Sequence, residues 1–390
     1  MQIKEKLKLL GSDAKYDVCG YPRMLVTHKQ AQQFSFVYHA TGEGGKGLTS
    51  RCTRLFKVLQ TNKCEHNCYY CVNRRERNYP RLSFTPKELS DLFMEHYTNG
   101  LVEGCFLSSA IYKNADYSQE EIIQTLQLLR QKHNYKGYIH TKILPDTSDD
   151  LIYESAKYSD RLSINLEAPG QDWLSRLSPS KNYAKLIAML RKIVGVARDK
   201  KIHNGVTTQL IVGGAGETDR AIVNLATKLY YELKLRRVYY SGFIPVAETP
   251  FQNTPLCPPE REYRLYQADS LIRKYGFKAD EIPYDANGFL PTDDDPKLVW
   301  AKQHPESFPI EVNTASFHQL IRVPGIGRIS AQKIVCARKE GRITTIESLK
   351  KMGIIGSRAR NYILINSRMP KITPNPKETA QKQMFLWEEI

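Results

Sequence analysis

The stretch RLFKVLQTNKCEHNCYYC, residues 54–71, runs a β-rich segment straight into a loop that holds Cys64, Cys68 and Cys71. The apolar run Leu55-Phe56 and Val58-Leu59, bounded by polar residues, reads as a strand. Three thiolates on one loop suggest zinc, copper(I) or an iron–sulfur cluster. A structural zinc site normally closes with a fourth ligand. The nearest candidate, His66, lies between two of the cysteines on the same tight loop, and no second cysteine pair occurs at a useful distance. A four-iron cluster accounts for the missing donor: three thiolates hold three irons, and the fourth iron keeps an open position.

Outward from this stretch the chain alternates strand-like and helix-like segments. Strands are expected at 54–60, 104–110, 137–144, 161–167, 205–213 and 236–244. Helices are expected at 85–97, 118–133, 148–158, 181–199, 217–233 and 258–276. The helix at 85 opens with a Thr cap followed by Pro86. Such alternation predicts a parallel sheet, either doubly wound or an incomplete barrel, with the working loops at the carboxyl ends of the strands. The cysteine loop falls on that rim.

The motif Cys-x3-Cys-x2-Cys, placed after the first of these strands, resembles the radical S-adenosylmethionine (SAM) superfamily over about residues 50–280. The resemblance implies an α/β partial (β/α)6 barrel. It also implies a [4Fe–4S] cluster whose open iron is chelated by the methionine end of SAM, and cleavage of SAM to a 5′-deoxyadenosyl radical that abstracts hydrogen. Residues at the other strand ends become candidate cofactor contacts. The second strand ends Leu107-Ser108-Ser109-Ala110, where the superfamily has an acidic turn, so Ser108 and Ser109 offer hydroxyls instead. Asn165 and Glu167 alternate onto one face of the fourth strand and are candidates for ribose hydroxyls. The turn Gly213-Gly214-Ala215-Gly216-Glu217 resembles the Gly-rich turn beside adenine. Tyr240 and Gly242 on the sixth strand, and Tyr70 before the last cysteine, complete the set. Lys142 and Arg161 are candidates for the methionine carboxylate.

A second motif, LIRVPGIGRISAQKIV, occupies residues 320–335. A helix is expected to end at Val323 and another to begin near Arg328, joined by Pro324-Gly325-Ile326-Gly327. Glycines permit positive φ and close approach of a phosphate, and the following helix N-terminus presents unpaired N–H groups. This resembles the helix-hairpin-helix module, which grips DNA backbones. Gly353, Gly356 and Arg358 belong to a degenerate second copy. The candidate nucleic-acid contacts are therefore Gly325, Ile326, Gly327, Arg328, Lys333, Gly353, Gly356 and Arg358. The formal net charge of +16 supports the same reading, because residues 311–366 hold ten Lys/Arg against three Glu. Concentrated positive charge favours a polyanion.

The combination resembles the DNA modification/repair radical SAM protein family, a radical SAM core followed by a helix-hairpin-helix unit. Residues 1–53 are expected as an N-terminal extension, 54–284 as the radical SAM core, 285–310 as a linker and 311–366 as the small all-α DNA-binding unit. Residues 367–390 would then be a tail. Its Gln383-Met384-Phe385-Leu386-Trp387 is similar to the peptide that binds the bacterial sliding clamp. The implied partners are DNA, with RNA as the alternative, a reductant protein, the clamp and a uracil-DNA-glycosylase-like protein. The remaining readings are an RNA-modifying radical SAM enzyme and a non-catalytic DNA-binding iron–sulfur protein. In the extruded-base picture of the enzyme readings, Tyr69, Tyr70 and the run 73–77 would contact the strand.

The charged start MQIKEKLKLL lacks a secretory h-region, and no apolar run approaches ~18 residues. A cytoplasmic protein without a membrane span is expected. The scattered Cys19, Cys52, Cys105, Cys257 and Cys336 fit reduced thiols. A second cluster would require folding to gather Cys19, Cys52 and Cys105.

Overall fold

The computed structural model describes residues 3–17, 35–41 and 52–370, which divide into two compact units at Tyr263/Arg264. The division falls inside the last expected helix rather than at residue 284.

In the first unit, helix α1 (Ile3–Asp13) and strand β1 (Val37–Thr41) precede the expected elements. Then β2 (Cys52–Leu59) leads through the cysteine loop to α2 (Pro86–Thr98). Next come β3 (Gly104–Ser108), α3 (Ala115–Gln127), β4 (Tyr138–Lys142), α4 (Asp149–Tyr158) and β5 (Arg161–Ser163). Helices α5 (Gln171–Leu177) and α6 (Tyr183–Asp199) follow, then β6 (Val206–Val212), α7 (Asp219–Leu233) and β7 (Arg237–Gly242), while α8 (Pro259–Tyr275) contains the division between the units. The strands form a seven-stranded sheet in chain order, β1 antiparallel to β2 and the rest parallel. All six expected strands and their parallel pairing are present, in a curled partial barrel.

Local chemistry accounts for several boundaries. Thr85 and Glu88 close a capping box on α2 with Pro86 in the first turn. Asn114 caps α3, which starts at Ala115, three residues before the expected start, and the helix continues past Gln127 as a π-helical turn, Leu128–Lys132. Strand β5 stops at Ser163, so Asn165 and Glu167 lie beyond it, and Glu167 takes a left-handed φ of 65°. Their expected alternation along one strand face is therefore corrected.

Strand periodicity sorts the core. Phe56 and Val58 face outward with Cys105, Leu107 and Ile139, packing against Leu89 and Phe93 of α2, Ile122 and Leu126 of α3, and Leu10 of α1. The alternate residues face the other way. Leu55 and Phe106 pack together with Tyr38 and Tyr138 around them, and the His140 ring stacks on Phe106 at 4.1 Å. Lys57 lies on this inner face, 4.0 Å from the Tyr38 ring centroid, and is almost fully buried.

The second unit contains α9 (Pro296–Gln303), β8 (Ile310–Glu311), α10 (Phe317–Leu320), α11 (Arg328–Glu340), α12 (Ile346–Lys351), α13 (Gly356–Ala359) and β9 (Ile363–Leu364). Strands β8 and β9 pair in parallel. Residues 285–310 are more than a linker. They hold α9, whose Trp300 packs on Phe277 at 5.3 Å and stacks on His304 at 4.4 Å. The first helix of the hairpin ends at Leu320, three residues before the expected Val323. Among the described residues no helix is long and apolar enough to cross a membrane.

Candidate active site and helix-hairpin-helix surface

Cys64, Cys68 and Cys71 line a cavity at the carboxyl ends of the strands. Leu59 and Ser108 reach it from β2 and β3, Lys142 from β4, Asn165 and Glu167 from beyond β5, Ile211 from β6, and Ser241 and Gly242 from β7. The cysteine loop is held from behind by one side chain that the sequence reading missed. Arg81 donates to the carbonyls of Asn62 at 2.7 Å, Asn73 at 2.9 Å and Arg77 at 3.1 Å, and also to that of Arg74. Asn62 extends the brace by donating to Asp13 at 3.0 Å and accepting from Leu82 N–H at 2.7 Å. A loop fixed through its backbone can present three thiols in one direction.

Each sulfur has a donor. Backbone N–H groups of Ile111 and His66 serve Cys64, the Ser178 hydroxyl lies 3.1 Å from Cys68 Sγ, and Asn73 N–H lies 3.4 Å from Cys71 Sγ. All three cysteines are free of disulfides. Burial pushes the Cys64 and Cys71 thiols up, and Cys68 and Cys64 push Cys71 further. Iron must therefore displace protons on binding. Among the described residues no group of three or more His, Cys, Asp or Glu stands close enough to share one metal ion. In a four-iron cluster each thiolate takes a different iron, and a set of three thiols on one loop fits that arrangement. His66 points to Ser180 Oγ at 3.2 Å, and burial followed by Lys181 lowers its pKa.

Two buried ion pairs flank the cysteines. Lys181 Nζ meets Glu167 Oε1 at 3.1 Å with both side chains at most 10% exposed. Burial opposes the Lys181 charge, but Glu167 and the cysteines outweigh it and raise its pKa. The Tyr70 hydroxyl also bonds Glu167, and burial, then that carboxylate, push the phenol well up. On the other side Asp17 pairs with Lys142, which also donates to Asn165 Oδ1 at 2.7 Å. Ser108 Oγ donates to Asp17 at 2.8 Å. Burial alone would raise the Asp17 pKa; Lys142 and Lys57 reverse this and hold it below the usual carboxylate range. Asp17 and Lys181 come from segments distant in sequence, so no local motif announced them.

Of the expected cofactor contacts, Tyr70, Ser108, Ser109, Asn165, Glu167 and Gly242 line the cavity. Four expected residues lie elsewhere. Gly213 and Gly214 are outside the lining, in a turn that Glu217 closes by accepting from the N–H groups of Gly213 and Ala215. Tyr240 is fully buried on the opposite side of β7 from Ser241, the alternation a strand requires. Arg161 opens β5, away from its carboxyl end, and donates to Asn204 carbonyl at 3.2 Å. The basic run beside the loop is partly structural: Arg74 is buried on Asn67 and Glu76, Arg77 donates to Val72 and Ala247 carbonyls, and only Arg75 among the three arginines is exposed. Tyr69 packs 5.9 Å from Phe251. Cys105 is buried in the core, while Cys19 and the Cys52 side chain lie outside the described residues.

In the second unit the two hairpin turns join through Ile355 N–H, which donates to Gly325 carbonyl at 2.9 Å. Gly325 has φ +83°, and a Cβ there would stand 2.7 Å from Ile355 carbonyl, so glycine is required. Gly327 caps α11 without a side-chain oxygen, leaving the first-turn amides without a side-chain cap. Arg328 and Lys333 are exposed on α11, and Gly353, with φ +93°, is exposed in the second turn. The other three candidates are internal. Ile326 is buried with its carbonyl on Lys297 at 2.6 Å, Gly356 is buried, and Arg358 pairs with Asp295, the N-cap of α9. The clamp-like segment 383–387 lies outside the described residues.

Residues 58–229 match the radical SAM superfamily. The chain carries a radical SAM domain. Residues 307–361 match the helix-hairpin-helix motif. The radical SAM domain is an enzyme domain whose cofactors are a [4Fe–4S] cluster and SAM. An uncharacterized protein of Methanocaldococcus jannaschii is 23% identical over 219 residues, and the alignment spans 54% of this chain and 55% of that protein. Solved structures similar to it include the FeFe-hydrogenase maturase HydG from Carboxydothermus hydrogenoformans, with TM-score 0.46, 12% identity, and coverage of 76% and 74% of the two chains. Coproporphyrinogen III oxidase (HemN) from Escherichia coli has TM-score 0.39 and 16% identity, with coverage of 64% and 57%.

Proposed function

We propose that this chain is a radical SAM enzyme that acts on nucleic acid, in DNA repair or modification. The observation that supports it is the pairing, in one chain, of a three-cysteine cavity in a radical SAM domain with a helix-hairpin-helix motif that exposes cations beside a helix N-terminus.

In this reading Cys64, Cys68 and Cys71 hold the cluster. When bound, the cluster and SAM supply reductive C–S cleavage that leads to hydrogen abstraction. The cavity wall carries both signs of charge, Lys142 and Lys181 against Asp17 and Glu167. That suits a zwitterionic amino-acid group, and Ser108, Ser109, Asn165, Tyr70 and the Gly242 backbone add polar contacts around it. The apolar Ile111, Ile143, Leu144, Phe243 and Ile244 line the same cavity and keep water from it. Gly325, Gly327, Arg328, Lys333 and Gly353 would take phosphates, which position a duplex without reading its sequence.

Two measurements test the two halves separately. Anaerobically reconstituted protein given dithionite and SAM should release 5′-deoxyadenosine; a saturated tetrahedral zinc centre by X-ray absorption would refute the cluster. Fluorescence anisotropy with unrelated duplexes should show salt-dependent binding that varies little with sequence. Absence of binding at low salt would remove the nucleic acid, and preferential displacement by RNA would move the substrate to RNA.

A further inference from the structure

The segment Leu177–Lys181 makes a second wall behind the cysteine loop. Leu177 carbonyl accepts from Tyr69 N–H at 2.9 Å, Ser180 Oγ meets His66 Nδ1 at 3.2 Å, and Lys181 reaches Glu167 on the cavity. Ser178 is completely buried, and its hydroxyl lies 3.1 Å from Cys68 Sγ. Once that sulfur is bound to iron it carries no proton, so the hydroxyl becomes the donor. The donors on the other two sulfurs are main-chain N–H groups. Among the described residues, the donor on Cys68 is the one side chain that serves these sulfurs, and it can be removed by substitution without rebuilding the loop.

We infer that Ser178 is a positioning residue that sets the reduction potential of the cluster by donating to Cys68, with the Lys181 ammonium adding in the same direction. This rests on the cluster assignment above. Donation to a ligating sulfur and a nearby positive charge both stabilise the more negative, one-electron-reduced cluster, and hydrogen bonding and net charge are recognised determinants of cluster potential. The segment's position explains the need. It packs against the loop from a different part of the chain, so it can tune the cluster while contributing no iron ligand.

The test is a redox titration of the reconstituted full-length protein in mediator-poised solution, read by the EPR signal of the reduced cluster. Iron and sulfide content of each variant are measured alongside. Ser178→Ala should lower the reduced-to-oxidised ratio of the cluster about tenfold at a fixed potential, equivalent to ~59 mV for one electron. Ser178→Thr should keep the parent midpoint, and its isostere Ser178→Val should show the lowered one. Lys181→Met should also lower the midpoint, and Lys181→Arg should retain it. An unchanged midpoint in Ser178→Ala with full iron content overturns the inference, as does an equal shift in the Thr and Val variants. Parent protein that binds no cluster would overturn the metal assignment instead, so the two failures are distinguishable.

Discussion

Ser108 Oγ donates to Asp17 Oδ2 at 2.8 Å, joining the end of β3 to a residue 91 positions earlier in the chain. The sequence of β3 ends without an acid, and the structure brings one from the segment after α1. Asp17 also pairs with Lys142 and receives a longer contact from Asn165 at 3.4 Å. The N-terminal segment is thus part of the cavity wall.

Asp17→Asn should destabilise the first unit by about 3 kcal/mol, because it leaves the buried Lys142 ammonium without its counter-charge. The folded-state pKa of Asp17 lies below its unfolded value of about 3.9. Its contribution is therefore fully present above about pH 4 and is lost as pH falls through the lower folded value. Urea titrations at neutral pH and in the acid range should show the gap between parent and variant closing only in acid. A gap that stays constant down to pH 2 would refute the charge-pair account.

Replacing any one of Cys64, Cys68 or Cys71 by Ala should abolish cluster binding and formation of 5′-deoxyadenosine. Cys105→Ala and Cys257→Ala should leave both intact, since both residues are buried outside the cavity lining. Iron, acid-labile sulfide and the visible charge-transfer absorption give the answer directly. Loss of the cluster in the Cys105 variant would mean that the ligand set is wrong.

Arg81→Lys keeps the charge and loses the fork. Four loop carbonyls share that guanidinium, and an ammonium cannot reach all of them in one geometry. A loss of about 2–4 kcal/mol is expected from the buried carbonyls left unpaired, together with lower iron occupancy after reconstitution. Thermal unfolding and iron analysis check the two effects. Parent-like values in both would show that the loop is held by something else.

The legible part of this molecule was what local chemistry writes. The six core strands announce themselves by short apolar runs between turn residues, and α2 by Thr85, Pro86 and Glu88. The three cysteines name their own chemistry by spacing. What stayed hidden depends on contacts between distant segments. Asp17, Arg81 and Lys181 look like ordinary surface charges until the sheet curls and places carbonyls or opposite charges beside them. Strand β1 carries no apolar run of its own that would mark it; it is defined by its antiparallel register with β2, Val37 opposite Phe56 and Thr41 opposite Cys52. Arg161 misled for a related reason. Its residue type suited a carboxylate, but its place at the start of β5 puts it away from the rim where the cavity lies. The Gly-rich run 213–217 suited a ligand, yet its own Glu217 fills the role of acceptor.

The charges of the helix-hairpin-helix unit fall into two kinds, and this distinction makes the last prediction. Arg328 and Lys333 are exposed on α11, whose first-turn amides lack a side-chain cap. Arg358 was an equal candidate by sequence, but its guanidinium is committed to Asp295. Each phosphate contact releases counterions, so log K falls with log salt by about 0.9 per contact. Arg328→Gln and Lys333→Gln should each weaken binding to unrelated duplexes by similar factors and reduce the salt slope by about 1. Arg358→Gln should leave the slope unchanged and instead lower the unfolding midpoint, because it strands Asp295 at the start of α9. Anisotropy titrations across several salt concentrations, with thermal melts of the same variants, separate the outcomes. A slope that drops for Arg358 and stays fixed for Arg328 would place the nucleic acid on a different face of the unit.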